Sequence, residues 1–209
     1  MTTGRYSRLM RFFSPALILT ALLTPSLFAQ QEIGLTIGAM TGPVHVATSG
    51  QSINLSTGTA LQANYARFLK AYKLADLYGE AHLLVSPYQS NDSTLTSVTK
   101  NFTSIYMTPG VRLKFYPKKA LSPWVVGGGG YALYIHSSKT IAGGVSLAPS
   151  KSTLAMEIGG GLDYKWTDRF TLRMETRSFY TGNARYNTPV NGSVQFNFTV
   201  GGGIVFNLK

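Results

Sequence analysis

The sequence predicts an all-β protein, an eight-stranded antiparallel transmembrane β-barrel with four long external loops and three short periplasmic turns. Three observations predict it. The apolar residues recur with a period of two rather than 3.6; the alternating stretches are joined by connections that are long and short in turn; and one face of most stretches carries no charge.

Composition narrows the class before any element is placed. The chain of 209 residues is 44% hydrophobic and only 13% charged, where an ordinary soluble domain is about 25% charged. With Tyr 12, Phe 11 and Gly 22, it has the aromatic surface that a disordered chain lacks and too little Ala, Glu, Lys and Leu for a coiled coil. The absence of Cys excludes disulfide scaffolds, thiol nucleophiles and thiolate-held metals.

Residues 1–29 read as a secretory signal peptide, removed after export by the Sec route. Arg5, Arg8 and Arg11 form a basic start, Pro15 to Leu23 an apolar core, and Phe28-Ala29 a cleavage point. The alternative, an N-terminal membrane anchor, needs about 20 apolar residues, more than this core supplies. Of 19 basic residues three leave with the segment, so 16 against 8 acidic ones give residues 30–209 a formal charge of +8. No later stretch is apolar enough for a transmembrane helix, and residues 30–209 are expected to form one barrel domain.

The strands follow in order. Over 32–40, Ile33, Leu35, Ile37 and Ala39 alternate with Gly34, Thr36, Gly38 and Met40; over 59–68, Leu61, Ala63 and Tyr65 alternate with Gln62, Asn64 and Ala66. Over 76–86, Gly79, Ala81, Leu83 and Val85 alternate with Tyr78, Glu80, His82 and Leu84. Over 102–116, Ile105, Met107, Pro109, Val111, Leu113 and Phe115 alternate with Ser104, Tyr106, Thr108, Gly110, Arg112 and Lys114. A glycine-rich stretch over 123–135 alternates more weakly. Over 152–165, Leu154, Met156, Ile158, Leu162 and Tyr164 oppose Ala155, Glu157, Gly159, Gly161 and Asp163; over 169–179, Leu172 and Met174 oppose Thr171, Arg173, Glu175 and Arg177. The last stretch, 193–208, sets Phe196, Phe198, Val200, Ile204 and Phe206 against Gln195, Asn197, Thr199, Gly203 and Val205. Segments 41–58, 87–101, 136–151 and 180–192, rich in Ser, Thr, Asn, Gly and Pro, are the long loops. The short connections carry Lys70 and Lys73, Lys118 and Lys119, and Arg169. These suit either plain solvation or anionic lipid phosphates.

Which face is inside decides between a membrane barrel and a soluble lipocalin-like one, whose lumen is apolar. Glu80, Arg112, Lys114, Glu157, Asp163, Arg173, Glu175 and Arg177 all fall on the polar face. An eight-stranded lumen is just wide enough to be filled by side chains, so these charges are expected to form a paired network there. The turn near Trp166–Arg169 allows two registers, with Glu157 opposite Arg177 or one step diagonal to it, and likewise Asp163 and Arg173. Glu80 is expected near Arg112. Tyr65, Trp124, Tyr134, Tyr164, Trp166 and Phe206, near strand ends, are expected in the interfacial girdles, and the glycine clusters 127–130, 159–161 and 201–203 where large lumen side chains need room.

The chain thus resembles the small outer-membrane β-barrels of Gram-negative bacteria, the OmpA/OmpX-like and opacity-protein-like barrels of the porin family. The resemblance rests on Tyr106-x-Thr108-Pro109-Gly110-Val111-Arg112, Gly159-Gly160-Gly161-Leu162-Asp163-Tyr164 and Arg173-x-Glu175-x-Arg177. It implies residence in the cell outer membrane among its lipids, and insertion by the barrel-assembly machinery. Gly203, Phe206 and Leu208 match the terminal strand signal that this machinery reads. The chain departs in ending Asn207-Leu208-Lys209 rather than on an aromatic, and in having Gly201 for the usual polar residue. The peptidoglycan-binding domain of OmpA-type proteins is not expected.

Tests for chemistry return little. Gly127-x-Gly129-x-x-Ala132 matches a dinucleotide fingerprint only formally, because the strand continues through Leu133-Tyr134-Ile135 where a helix is required. His45, His82 and His136 lack metal-ligand spacing, and neither a metal nor a cofactor is expected. His136-Ser137 mimics the pair of membrane-embedded lipid A deacylases, but no acidic residue between Asp92 and Glu157 could orient the histidine; no enzyme is expected. The basic residues form no phosphate-tracking run, so no nucleic acid is expected. Three functional readings remain: a structural or surface-interaction barrel meeting an unknown surface ligand, a small passive pore, and a lipid-modifying enzyme.

Overall fold

A strand whose two faces differ must keep its apolar face from water, and a sheet in lipid must pair every backbone group. Closing the sheet on itself does both. A computed structural model describes residues 30–42, 44–46, 52–55, 57–92, 101–136, 150–182 and 194–208. Residues 1–29, expected to be a signal peptide, much of the long connections and the Ser137 of the His-Ser pair lie outside these residues.

The barrel strands are β1 (Gln31–Thr41), β4 (Gly58–Ala71), β5 (Ala75–Asp92), β6 (Asn101–Phe115), β7 (Leu121–His136), β8 (Lys151–Lys165), β9 (Phe170–Gly182) and β10 (Val194–Leu208). Each pairs antiparallel with its neighbours, β5 with β6 and β10 with β1 completing the ring. Spanning a bilayer takes about 9–11 tilted residues, and every barrel strand has at least 11.

The first long connection is not loop throughout. It contains β2 (Val44–Val46) and β3 (Ser52–Leu55), a hairpin whose second strand pairs with the end of β5 at Asn54↔Asp92 and Leu55↔Asn91. β5 likewise runs six residues past its expected end at 86. At the end of β5 pairing continues through the polar Gln89–Asp92, because a ladder hydrogen bond joins backbone groups and does not require an apolar face.

At the opposite end the turns are short. Tyr72 N–H donates to Ala75 O at 2.8 Å. Thr167 Oγ1 accepts from the N–H groups of Arg169 (3.3 Å) and Phe170 (3.0 Å), the side-chain mimicry typical of threonine turns. Tyr116 adopts the left-handed region at φ 50, and Ser122 Oγ donates to its carbonyl at 3.0 Å. In β6, Pro109 has no N–H to give, and the β6–β7 ladder is interrupted between Met107↔Tyr131 and Gly110↔Gly128.

The outer wall is apolar. Leu154, Met156, Ile158 and Met174 are 66–69% exposed. Among the described residues Arg67, toward the turn end of β4, is the one charged side chain in the outward phase of a barrel strand between the two rims. Some outward positions of β7, β8 and β10 are glycines (Gly127, Gly129, Gly160, Gly202), so the clusters do not serve the lumen alone. Inside, a Cβ on Gly161 would meet Met174 O and the Trp124 ring (2.7 Å), and one on Gly159 would meet Thr176 O (2.8 Å) and Arg177 Cγ (2.9 Å), so the expected lumen side chains and the neighbouring backbone both need the room. At Gly110 and Gly128 the reason differs. They face each other across β6 and β7, and a Cβ on Gly128 would lie 2.7 Å from Pro109 O, so it is the neighbouring backbone that needs the room.

Candidate functional site

All eight charged residues placed on the polar face by their alternation lie inside the barrel and are buried. β8 and β9 adopt the register in which Asp163 stands opposite Arg173, while Glu157, opposite Phe179, is one step diagonal to Arg177.

The charges interlock in the half of the lumen nearer the short turns. Asp163 accepts from Arg173 Nε (2.7 Å) and Nη2 (2.9 Å), from the Trp124 indole N–H (3.0 Å), and pairs with Lys114 Nζ (2.9 Å). Glu32 accepts from Arg112 and from Lys114 Nζ (3.3 Å), with Arg173 Nη2 at 3.6 Å. Glu80 faces Arg112 Nε at 3.3 Å, an ion pair without hydrogen-bond geometry.

Arg177 joins β9 to the far wall. Its guanidinium binds Glu157, Glu80 Oε1 (2.8 Å) and Glu175 Oε2 (3.0 Å). Glu157 also accepts from Thr108 and lies 3.3 Å from His82 Nδ1; His82 Nε2 contacts Gln62 Oε1 at 3.2 Å. Five carboxylates (Glu32, Glu80, Glu157, Asp163, Glu175) thus meet four strong cations (Arg112, Lys114, Arg173, Arg177), so single pairs cannot satisfy them and bridging cations are required. The guanidinium carbons of Arg173, Arg177 and Arg112 lie 4.8, 5.3 and 5.7 Å from the Trp124 ring, the range of cation–π attraction.

Among the described residues the other half of the lumen is filled mainly by neutral groups. Tyr134 Oη lies 2.7 Å from Thr181 Oγ1 and 3.2 Å from Tyr106 Oη; Asn197 Nδ2 donates to Tyr106 at 2.9 Å, and Gln195 Nε2 to Asn197 Oδ1 at 2.7 Å. Phe179 packs against Tyr106 with centroids 4.7 Å apart.

Two members of the charged network are absent from the set of eight. Glu32 precedes the apolar run of β1, but it is in phase with Gly34 and Thr36, and His82 is in phase with Glu80; parity was the available signal. Parity also corrects the girdle. Tyr65, Tyr164, Trp166 and Phe206 occupy outward or turn positions, whereas Trp124 and Tyr134 are buried inside, 1% and 0% exposed. Tyr131, Leu133 and Ile135 face outward, which forces Tyr134 and, ten residues earlier on the same strand, Trp124 inward. Gly203 faces Thr36 across β1 and β10. Phe206 and Leu208 point outward, Phe206 edge-on to Phe170 at 5.0 Å. Among the described residues no cluster of metal-ligating side chains occurs.

No protein-family profile and no curated relative matches the chain. Solved structures do. Neisserial surface protein A (NspA) superposes with a TM-score of 0.55 at 12% identity, covering 87% of this chain and 99% of its own. The fold is that of the small outer-membrane barrels. The outer membrane protein OprG from Pseudomonas aeruginosa has the same architecture, with a TM-score of 0.50 at 8% identity over 86% of this chain and 96% of its own.

Proposed function

We propose that this chain is an integral outer-membrane barrel, exported by a cleaved signal peptide, whose filled lumen makes it a structural or surface-interaction element rather than a conduit. The observation that carries the reading is the bridged charge network. Arg177 spans from β9 to Glu80 on β5 and to Glu157 on β8, so the narrow interior is crossed by side chains. Eight strands leave no further room for an aqueous path. An outer wall whose described residues carry no charge between the rims except Arg67, toward the turn end of β4, supports lipid as the surrounding medium, because a charge costs about 2–4 kcal/mol on the lipid face at the midplane and far less near the interfaces.

With the lumen closed, contact with other molecules falls to the long connections on one side and the turn rim on the other. The reading assigns the chain no catalytic chemistry. Recording in planar bilayers tests it: the native protein is expected to show no stable conductance, and a large, steady open channel would replace the plugged barrel by a pore.

A further inference from the structure

Of the twelve basic residues in 30–209 that the lumen network does not use, six stand at the rim of short turns. Lys70, Lys73, Lys118, Lys119, Lys165 and Arg169 are exposed there, and Asp168 is already 2.8 Å from Lys165 Nζ. Each turn also presents an exposed ring: Tyr72, Tyr116 or Trp166. Two of the ammonium groups rest on those rings, Lys70 Nζ 5.3 Å from the centre of Tyr72 and Lys119 Nζ 4.8 Å from that of Tyr116. Apolar side chains adjoin the first two turns, with Leu69, Leu74 and Leu121 more than half exposed.

We propose that this rim is a docking ring for anionic phospholipids. Phosphates would accept from the ammonium and guanidinium groups, the rings would sit at headgroup level, and acyl chains would lie on the adjoining leucines. Solvation alone would explain exposed lysines, but not the repetition of ring and cation at all three turns, with exposed leucines beside two of them. Long basic side chains beside interfacial aromatics are arranged to keep their stems in the apolar layer and their heads among phosphates. The inference rests on the outer-membrane reading above.

To test it, the protein is expressed from its full sequence, extracted into zwitterionic detergent and titrated with phosphatidylglycerol, phosphatidylcholine of matched chains, or inorganic phosphate. Bound lipid is counted by native mass spectrometry. Phosphatidylglycerol is expected to bind on the order of tenfold more tightly than phosphatidylcholine, with the preference falling as salt rises. Replacing Lys70, Lys73, Lys118 and Lys119 together by Gln should bring the two lipids within about twofold, and replacement by Arg should keep the preference. Equal affinities in the native protein, an unchanged preference in the Gln variant, or displacement of the lipid by millimolar phosphate would each overturn the ring. A heat-dependent shift in gel mobility reports barrel closure separately. A chain that never shows the shift overturns the membrane reading and the ring with it.

Discussion

The two halves of the lumen are built from the same alternating strands, yet they are filled by opposite chemistry. Next to the short turns, Glu32, Glu80, Glu157, Asp163 and Glu175 are threaded by Arg112, Lys114, Arg173 and Arg177. Toward the long connections, Tyr106, Tyr134, Thr181, Gln195 and Asn197 form a neutral chain of hydrogen bonds. Dehydrating a charge costs several kcal/mol, recovered only through close, multiple pairing; dehydrating a hydroxyl costs far less. The charged half should therefore respond severely to the loss of a single group, and the neutral half mildly. Pairing there is incomplete even in the intact protein. Arg112 Nη1, Arg173 Nη1 and Glu175 Oε1 have no hydrogen-bond partner among the described residues, and the faces of Arg112 and Arg173 lie near Trp124.

The largest effect is expected at Arg177. Arg177→Met keeps most of the side-chain volume and leaves Glu80, Glu157 and Glu175 without their shared cation. Breaking one buried pair typically costs about 3–5 kcal/mol, so a loss at or above that range is expected from urea unfolding in lipid vesicles. A loss below about 1 kcal/mol, the range of exposed pairs, would mean that the charged half is wet. The triple change Arg177→Met, Glu80→Gln, Glu157→Gln should recover part of the loss by removing the stranded carboxylates.

The wall supplies a scale for both halves. Ile158→Lys puts a charge on the lipid face of β8 and should cost about 2–4 kcal/mol, whereas Trp166→Lys, at the turn, should cost at most about 1 kcal/mol. Equal costs at the two depths would mean that this surface does not face a bilayer.

Only two tryptophans occur in the chain, and they report on different media. Trp166 is 65% exposed at the rim, while Trp124 donates to Asp163 inside. With Trp166→Phe, the remaining emission should resist quenching by brominated lipids; with Trp124→Phe, the remaining emission should be quenched. Similar quenching in both variants would return Trp124 to the lipid interface.

Trp124 also marks where the sequence was easy and where it was hard to read. Strand existence and face followed from period two, because in a barrel one medium surrounds the whole outer wall and every strand repeats the same inside-outside code. Glu157, Asp163, Arg173 and Arg177 could be brought near one another because a tight turn leaves few registers. Glu32 and His82 could not be reached that way. Their partners, Arg112 on β6 and Glu157 on β8, lie across the lumen, and cross-lumen distances depend on strand tilt and stagger rather than on any one turn. Trp124 and Tyr134 invited a girdle assignment by position near strand ends, where their parity pointed inward. The hairpin of β2 and β3 was hidden for a different reason: strands of three and four residues are too short for their alternation to stand out in a connection rich in Ser, Thr and Gly.

The smallest effect is expected in the neutral half. Tyr134→Phe removes one hydroxyl that stands between Tyr106 and Thr181 while keeping the ring edge-on to Tyr106 at 6.2 Å. Tyr106 retains the bond from Asn197, so only Thr181 loses its closest side-chain partner. A net hydrogen bond is worth about 0.5–1.5 kcal/mol, and an unsatisfied buried hydroxyl adds about 1–3 kcal/mol only if it cannot turn to another acceptor. A Thr hydroxyl rotates freely, so the loss is expected near 1 kcal/mol, with Tyr134→Phe, Thr181→Val close to the single variant. Should Tyr134→Phe instead cost as much as Arg177→Met, the two halves would be equally demanding, and the division of the lumen into a costly charged plug and a tolerant neutral one would fail.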